Sequence, residues 1–270
     1  MAARLLLVGC GKMGGALLQG WIERGTAPGQ VAVIEPVTES AAVAAGLGVR
    51  VHADAAAVPA AFHPDVIVLA VKPQAMDAAV QPLLGRAGKD NVVLSIAAGK
   101  TIAGFERKFG AAAAIVRAMP NTPAAVGRGI TVACANARVT PVMRELCSEL
   151  LRAVGEVAWV EDEALLDPVT AVSGSGPAYV FLLIECLAEA GVRAGLPATL
   201  AMQLARATVC GAGELAHRSS EPAATLRRNV SSPGGTTLAA LDVLMAPDGL
   251  QPLLDRAVAA ATRRSRELAS

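Results

Sequence analysis

The chain has 270 residues, of which 53% are hydrophobic, 17% are charged and 3% are aromatic, so it can build a sizeable core and is unlike disordered sequences. Its formal net charge is +1, with Lys and Arg spread along the sequence, which argues against nucleic acid or an anionic membrane as a partner. The apolar runs are shorter than the roughly 20 residues of a membrane span and no signal-peptide pattern opens the sequence, so a cytoplasmic protein without a transmembrane helix is predicted.

The cysteines and histidines predict neither a disulfide nor a metal site. The three histidines have no second ligand type at metal-binding spacing, so no metal is expected. The number of cysteines is odd and none forms a Cys-x-x-Cys pair, which favours buried free thiols. The cysteines are Cys10, Cys134, Cys147, Cys186 and Cys210.

Short apolar runs that alternate with helical segments characterise the first part of the sequence. The run 4–8 precedes a glycine-rich turn and an amphipathic segment at 16–24, which predicts a strand, a turn and a helix. Runs without polar alternation are typical of parallel strands covered on both faces, so the sequence predicts an α/β fold with a doubly wound sheet. Further strands are expected at 31–34, 66–71, 92–97, 115–118, 130–134 and 157–160, with a helix at 141–154.

From about residue 161 only helical patterns remain, so we expect a sheet domain at 1–160 and an all-α domain at 161–270. Proline starts the first two of these helices and Gly195 follows the first of them, as helix start and stop signals do. Their long Ala and Leu faces exceed what so small a domain can bury, which predicts a dimer or larger assembly. The helices are expected at 177–193, 197–217, 221–229, 236–245 and 250–268.

The glycine-rich turn has the pattern Gly9-x-Gly11-x-x-Gly14 between a strand and a helix, with Glu35 at the end of the next strand. In a dinucleotide-binding turn, the first glycine permits the turn, the second lets the backbone approach the pyrophosphate, and the third lets helix and strand pack closely. A glycine-rich structural turn is the alternative. Glu35 would bind the adenosine ribose and repel a 2′-phosphate, which favours NADH over NADPH unless Arg50 or another cation accommodates the phosphate.

Three other segments contain candidate binding residues. Lys72 follows the third strand at the sheet edge where doubly wound folds bind ligands, although a solvated lysine is equally expected there. The segment Ser232–Thr237 joins two predicted helices and could hold a carboxylate at a helix start, or be an ordinary loop with Thr236 as N-cap. The cluster Ser173–Pro177 is most simply a helix start. No Ser/His/Asp set or acidic dyad is found, so the chemistry must belong to a cofactor.

At these clusters the sequence resembles the pyrroline-5-carboxylate reductases over essentially its whole length. That resemblance implies an N-terminal Rossmann-like domain followed by an interleaved all-α dimerisation domain, often in a decamer of five dimers. It also implies reduction of 1-pyrroline-5-carboxylate to L-proline, the last step of proline biosynthesis, with NADPH or NADH. The motifs that carry it are Gly9-Cys10-Gly11-Lys12-Met13-Gly14, Ala70-Val71-Lys72-Pro73, Ser95-Ile96-Ala97-Ala98-Gly99, residues 117–123, residues 172–179 and Ser232-Pro233-Gly234-Gly235-Thr236-Thr237.

The resemblance also implies roles for individual residues. Thr237 is expected to be catalytic, through a hydrogen bond between its hydroxyl and the ring nitrogen, and the partner subunit supplies the loop that contains it. The substrate site is expected to comprise Ser232, Gly234, Gly235, Thr236, Thr237, Met119 and Asn121, with Pro120 beside them. The cofactor site is expected to comprise Gly9, Cys10, Gly11, Lys12, Met13, Gly14, Glu35, Ala70, Lys72, Ala97 and Asn229.

Two alternatives compete with this interpretation. A β-hydroxyacid dehydrogenase shares the glycine turn and a helical second domain, but that family relies on a lysine in the helical domain, and no lysine occurs between residues 161 and 270. A non-catalytic dinucleotide sensor would keep the glycine turn and would have no reason to keep the segment Ser232–Thr237. Many members that prefer NADPH carry a small polar residue in place of Glu35.

Overall fold

An eight-stranded sheet forms the centre of the structure, a computed structural model in which residues 3–268 are described. The strands are β1 Leu5–Val8, β2 Val31–Ile34, β3 Arg50–His52, β4 Val66–Leu69, β5 Val92–Ser95, β6 Ala114–Met119, β7 Gly129–Ala135 and β8 Gly155–Trp159. Their order across the sheet is β3-β2-β1-β4-β5-β6-β7-β8, and all neighbours are parallel except β6 and β7. The predicted doubly wound α/β fold is confirmed.

Helices follow most strands and then fill the remainder of the described chain. They are α1 Lys12–Glu23, α2 Thr38–Gly46, α3 Met76–Val80, α4 Ile102–Phe109, α5 Pro141–Arg152, α6 Leu166–Val169, α7 Gly176–Arg193, α8 Ala198–Arg218, α9 Ala223–Asn229, α10 Thr236–Leu244 and α11 Leu250–Leu268. Successive residues of β1 face opposite sides of the sheet: Leu5 and Leu7 join one buried cluster, and Leu6 and Val8 join another. Both faces are therefore covered, which explains the apolar strands.

The strand order reverses beside β1, which pairs with β2 on one side and β4 on the other. The Gly9 N–H donates to the Ile34 carbonyl (2.9 Å), and the Ala70 N–H donates to the Val8 carbonyl (2.8 Å). The residues that follow β1, β2 and β4 therefore meet at one edge of the sheet. In doubly wound folds, ligands bind at this point.

The individually predicted elements are confirmed with shifts of at most four residues at their ends, whereas strand β3 and the helices α2, α3, α4 and α6 were not individually predicted. Strand β2 and helix α11 have the predicted bounds. Strand β3 was missed because it has three residues and begins and ends with the polar side chains Arg50 and His52. Helix α2 was missed because its alanine-rich sequence has no distinct apolar stripe.

Contacts divide the chain into two compact units. One contains the sheet, extends to Gly174 and includes the chain from Ala261 onward; the other is Ser175–Ala260. In the sheet unit, the Ser265 hydroxyl donates to Asp167 (2.7 Å), and a Cβ at Gly99 would lie 2.9 Å from the Leu268 carbonyl oxygen. The last two turns of α11 thus pack with the sheet. The functional boundary near residue 160 remains a prediction, and residues 1–2 and 269–270 lie outside the described residues.

The second unit is entirely helical and exposes much apolar surface. Helices α7 and α8 pack closely through small residues: Ala188, Ala201 and Ala205 are buried, and a Cβ at Gly191 would lie 3.3 Å from the Ala201 Cβ. On α7, Phe181 is 60% exposed in the single chain. Such a surface is typical of a helical unit that associates with another subunit.

One helical stretch of the described chain, residues 163–193, is long and apolar enough to cross a membrane by length and composition, and an 18-residue window within it has a mean hydropathy of 1.5. This stretch was not predicted, because each of its apolar runs is by itself shorter than a membrane span. A single stretch of this kind is weak evidence for a membrane span, because an association helix has the same composition.

Candidate functional site

Contacts that only glycine permits close the turn after β1. Gly9 has φ of +91°, and a Cβ there would lie 2.8 Å from Val71 Cγ1. A Cβ at Gly14 would collide with the Gly9 carbonyl oxygen. At Gly11, by contrast, a Cβ would have no heavy atom within 4 Å, so the packing of the chain does not require this glycine. The open space over Gly11 fits a ligand that must approach the backbone, as the pyrophosphate of a dinucleotide does.

Helix α1 starts directly after this turn with its first backbone N–H groups uncapped. Gly11 is the N-cap and contributes no side-chain hydrogen bond, while Lys12, Met13 and Gly14 form the first turn. These N–H groups and the positive end of the helix dipole favour an anion at this position. A surface depression of about 420 Å³ adjoins the turn, and Lys12 and Glu39 both line it.

Glu35 is held beside the same turn by two backbone hydrogen bonds. Its Oε2 accepts from the Cys10 N–H (2.6 Å) and its Oε1 accepts from the Val37 N–H (2.9 Å). The residue is 7% exposed. The carboxylate therefore links the end of β2 to the glycine turn, and its orientation is fixed by both bonds. Each oxygen retains capacity for a further hydrogen bond from a ribose hydroxyl.

The structure separates Arg50 from this corner. Arg50 is at the amino end of β3, where it pairs with Ala32, and its guanidinium donates to the Gly29 carbonyl (3.3 Å). Glu35 follows the opposite, carboxyl end of β2. Residues 35–49 contain no Lys, Arg or His. Arg50 is therefore not placed to neutralise a phosphate beside Glu35.

The thiols differ in burial. Cys10, Cys134 and Cys147 are buried, whereas Cys186 and Cys210 are exposed in the single chain, so the prediction of buried thiols is wrong for these two. Burial, and secondarily the nearby Glu35 carboxylate, raises the pKa of Cys10 to about 11. Burial raises the pKa of Cys147 to about 12. The thiols of Cys10 and Cys147 are therefore not nucleophiles at neutral pH.

Residues at the ends of β4 and β5 complete this edge of the sheet. The Ala70 Cβ would lie 3.2 Å from a Cβ at Gly14, so small side chains are needed on both sides. The Ala97 N–H donates to the Ser95 hydroxyl (3.3 Å), and Ala97 is 5% exposed. Lys72 is exposed at the start of a short 3₁₀ turn. The structure thus brings the predicted cofactor residues of the sheet unit to one edge.

Met119 and Asn121 lie at the carboxyl end of β6, on the same edge. Met119 is the last residue of the strand and is partly buried. The Asn121 Oδ1 accepts a hydrogen bond from the Ile130 N–H (2.9 Å), so this side chain ties β6 to the start of β7. The contact gives Asn121 a role in shaping the turn, and its predicted place beside the substrate remains a prediction.

The segment Ser232–Thr237 is an exposed turn that leads into α10, in the helical unit. Gly234 has φ of +71°, and the Gly235 N–H donates to the Ser232 carbonyl (3.0 Å). Gly235 is the N-cap of α10 and Thr236 is its first residue, so Thr236 is not the cap. The uncapped N–H groups at the start of α10 are available to an anion such as a carboxylate.

Asn229, the last residue of α9, is also in the helical unit. Its Nδ2 donates to Glu221 Oε2 (3.2 Å), so the last residue of α9 is bonded to the segment that precedes this helix. Among residues 3–268, no group of three or more His, Cys, Asp or Glu side chains could hold a metal ion.

A buried ion pair below the site was not predicted from the sequence. Arg117 on β6 donates from Nη1 to Glu163 Oε1 (2.7 Å), and the Arg117 side chain is 6% exposed. A charged residue inside a run of buried strand residues was the available signal, because a buried Arg requires a partner.

Comparison with known proteins agrees with this geometry. Residues 163–268 match the model of pyrroline-5-carboxylate reductase dimerisation, and residues 4–99 match the NADP oxidoreductase, coenzyme F420-dependent, model. A pyrroline-5-carboxylate reductase of Pseudomonas aeruginosa is 42% identical over 269 residues, which is 98% of this chain and 97% of that protein. The chain belongs to the pyrroline-5-carboxylate reductase family.

Solved structures extend the likeness to the fold. A pyrroline-5-carboxylate reductase of Coxiella burnetii has a TM-score of 0.93 at 36% identity, with both chains fully covered. That of Plasmodium falciparum, solved with NADP bound, has a TM-score of 0.81 at 30% identity and covers 99% of this chain and 98% of its own. The helical half is a dimerisation domain, so this family member assembles with copies of itself.

Proposed function

We propose that this chain reduces 1-pyrroline-5-carboxylate to L-proline by hydride transfer from NAD(P)H, the last step of proline biosynthesis. The full-length similarity to reductases of this name carries the proposal. The position of Gly11 supports it, because this glycine lies between β1 and the uncapped start of α1 and leaves space for a pyrophosphate to approach the backbone. The β-hydroxyacid dehydrogenase alternative is not favoured.

The residues of the glycine turn hold the cofactor in this proposal. The N–H groups at the start of α1 bind the pyrophosphate, Glu35 binds the adenosine ribose, and Ala70, Lys72 and Ala97 line the path along the sheet edge. NAD(P)H supplies the hydride, and the protein supplies its orientation. Asn229 joins the cofactor site from the helical domain. Cys10 acts through Glu35, because its backbone N–H donates to that carboxylate and its thiol is buried.

The substrate is held by Ser232, Gly234, Gly235, Thr236 and Thr237 of a partner subunit. Backbone N–H groups at the start of α10 bind the substrate carboxylate, and the Thr237 hydroxyl forms a hydrogen bond with the ring nitrogen of the substrate. A cyclic imine is partly protonated near neutral pH, and its iminium carbon accepts hydride readily. The reaction therefore depends on positioning rather than on a dedicated acid, which fits the lack of a Ser/His/Asp set or acidic dyad in the sequence.

We further propose that NADH is preferred to NADPH. A 2′-phosphate would lie beside the fixed Glu35 carboxylate, and residues 35–49 offer it no cation. Lys12 lines the adjoining depression, but Glu39 lines it as well and offsets its charge. Relatives that bind NADP do not contradict this preference, because discrimination is a ratio of specificity constants.

The assembly and location follow the same family pattern. We propose a homodimer, further assembled as a decamer of five dimers, in which residues 1–160 bind the dinucleotide and residues 161–270 form the dimerisation and substrate-binding domain. The dimerisation match, which begins at residue 163, supports this division. The protein acts in the cytoplasm on a small molecule, with no nucleic acid or membrane partner.

One assay tests the proposal. Oxidation of NADH and of NADPH is followed with 1-pyrroline-5-carboxylate, with its six-membered homologue, and with a 3-hydroxyacid in the oxidative direction. Rapid turnover of the five-membered imine is expected. Turnover of the hydroxyacid alone would indicate a β-hydroxyacid dehydrogenase instead. No turnover of any of the three substrates would indicate a non-catalytic dinucleotide sensor.

A further inference from the structure

The segment between β8 and α7 is bound firmly to the sheet. Glu163, near its start, accepts hydrogen bonds at Oε1 from Arg117 (2.7 Å) and from the Ile102 N–H (2.9 Å). Leu166 and Ala171 are both fully buried. With an ion pair at one end and two buried side chains along it, the backbone of this segment cannot retreat from the sheet without losing these contacts.

This segment ends in a rare local structure. Residues Thr170–Gly174 form one turn of π-helix, a conformation found mostly as single turns and often at functional sites. The Thr170 hydroxyl donates to the Leu166 carbonyl (2.7 Å), and the Ser173 hydroxyl donates to the Val169 carbonyl (3.1 Å). Two hydroxyls of the turn therefore donate to backbone carbonyls that precede it, and its last residue is a glycine.

Gly174 faces the side chain of Met119. A Cβ on Gly174 would lie 2.6 Å from the Met119 Cε, closer than two carbon atoms can approach. Arg117 and Met119 are two residues apart on β6 and so project from the same face of the sheet, where both contact this segment. Of the two groups that meet at Gly174, the Met119 thioether is the flexible one, because the backbone is held.

We propose that Gly174 is a positioning residue for the reductase reaction, because its missing side chain lets the π-helical turn seat the Met119 thioether at the carboxyl edge of the sheet. The proposal rests on the proposed function and on the expected place of Met119 in the substrate site. A methyl group at position 174 displaces the Met119 side chain and leaves the fold intact. The seated thioether keeps the two reacting rings aligned, which is where a small displacement lowers the rate.

A double-mutant cycle tests this assignment. Gly174→Ala is expected to lower kcat/KM for 1-pyrroline-5-carboxylate by about tenfold, with the KM for NADH unchanged within about twofold. On a Met119→Ala background, which removes the colliding thioether, Gly174→Ala is expected to change kcat/KM by less than about twofold. Gly46→Ala, at a helical glycine with open space, is the matched control and should leave kcat/KM unchanged.

Equal losses on both backgrounds would overturn the proposal, as would a Gly174→Ala enzyme that behaves like the Gly46→Ala control. If Gly174→Ala does not fold, the wild-type protein labelled with ¹³C at its methionine methyl groups provides the test. The Met119 signal, identified with Met119→Leu, is expected to shift when NADH is added, and an unmoved signal would refute the proposal. A wild-type chain that binds NADH and shifts this signal, yet reduces no imine, would instead defeat the proposed function.

Discussion

Close contacts fix the glycine turn within the sheet unit. Gly9 packs against Val71, Gly14 packs against the Gly9 carbonyl, and the Glu35 carboxylate accepts a hydrogen bond from the Cys10 N–H. The segment Ser232–Thr237 is different, because its internal bond joins Ser232 to Gly235 and most of its residues are exposed. The two regions hold the two reactants in the proposed reaction. One is shaped by close packing and the other by a short turn at a helix start.

This difference indicates where the preorganisation of the site comes from. The cofactor turn is fixed within one sheet unit by backbone hydrogen bonds and steric contacts, so it should be ready before any ligand binds. The substrate turn has fewer contacts in the single chain and depends on assembly for its surroundings. Substitutions in the first region should therefore affect stability and cofactor binding, whereas those in the second should affect turnover.

Gly14→Ala should have the largest effect. The new Cβ collides with the Gly9 carbonyl oxygen, which is backbone and cannot rotate away, so a loss of about 3 kcal/mol in the free energy of unfolding is expected. Urea denaturation measures it. Gly11→Ala is the matched control: it should leave stability within about 0.5 kcal/mol and weaken NADH binding. Equal stabilities for both variants would contradict a turn closed by packing.

Thr237→Ala should come next and should separate the two regions most sharply. Without the hydroxyl, turnover is expected to fall about a hundredfold, because the ring nitrogen loses its hydrogen-bond partner. The dissociation constant for NADH, measured by fluorescence, should stay within about twofold. Thr237→Ser retains the hydroxyl and should recover most of the rate; if both variants turn over like the wild type, Thr237 has no part in the mechanism.

Glu35→Ser should alter cofactor choice at the first region without altering turnover at the second. Removal of the carboxylate is expected to raise the NADPH to NADH ratio of kcat/KM by about tenfold. Glu23→Ser removes an exposed carboxylate from the other end of α1, away from the turn, and it should change the ratio by less than about twofold. A wild-type enzyme that strongly prefers NADPH would refute the assignment of Glu35.

The buried thiols give the smallest effect, a dependence of stability on pH. Burial raises the folded-state pKa of Cys10 and Cys147 above the ordinary value of 9.0. As the pH rises above 9, these thiols therefore ionise in the unfolded chain before they ionise in the folded protein. Stability is therefore complete below about pH 9 and is lost as the pH rises towards 11, by at most about 1.4 kcal/mol per pH unit for each thiol. Urea denaturation between these pH values measures it. Cys147→Ala should reduce the slope, and a flat profile would show that these thiols are accessible.

Most of the fold could be predicted, because uninterrupted apolar strands and helices that begin at proline give clear sequence patterns. The glycine spacing likewise predicted the turn, since each glycine has a distinct steric reason. Helix α2 and strand β3 lacked such patterns. The partner of Arg117 and the contact at Gly174 could not be predicted, because each joins residues far apart in sequence, and the Asn121 bond to β7 depends on how the chain turns after β6. Three-dimensional contacts of this kind leave no local periodicity.

Helix α11 has a consequence for the order in which the protein is made. Asp167 acquires its partner Ser265, and Gly99 its neighbour Leu268, only from the last two turns of this helix. The ribosome synthesises those turns after the whole of Ser175–Ala260, so the sheet unit cannot complete its contacts when its own strands emerge. The Rossmann body of this reductase finishes folding only after the helical unit has left the exit tunnel.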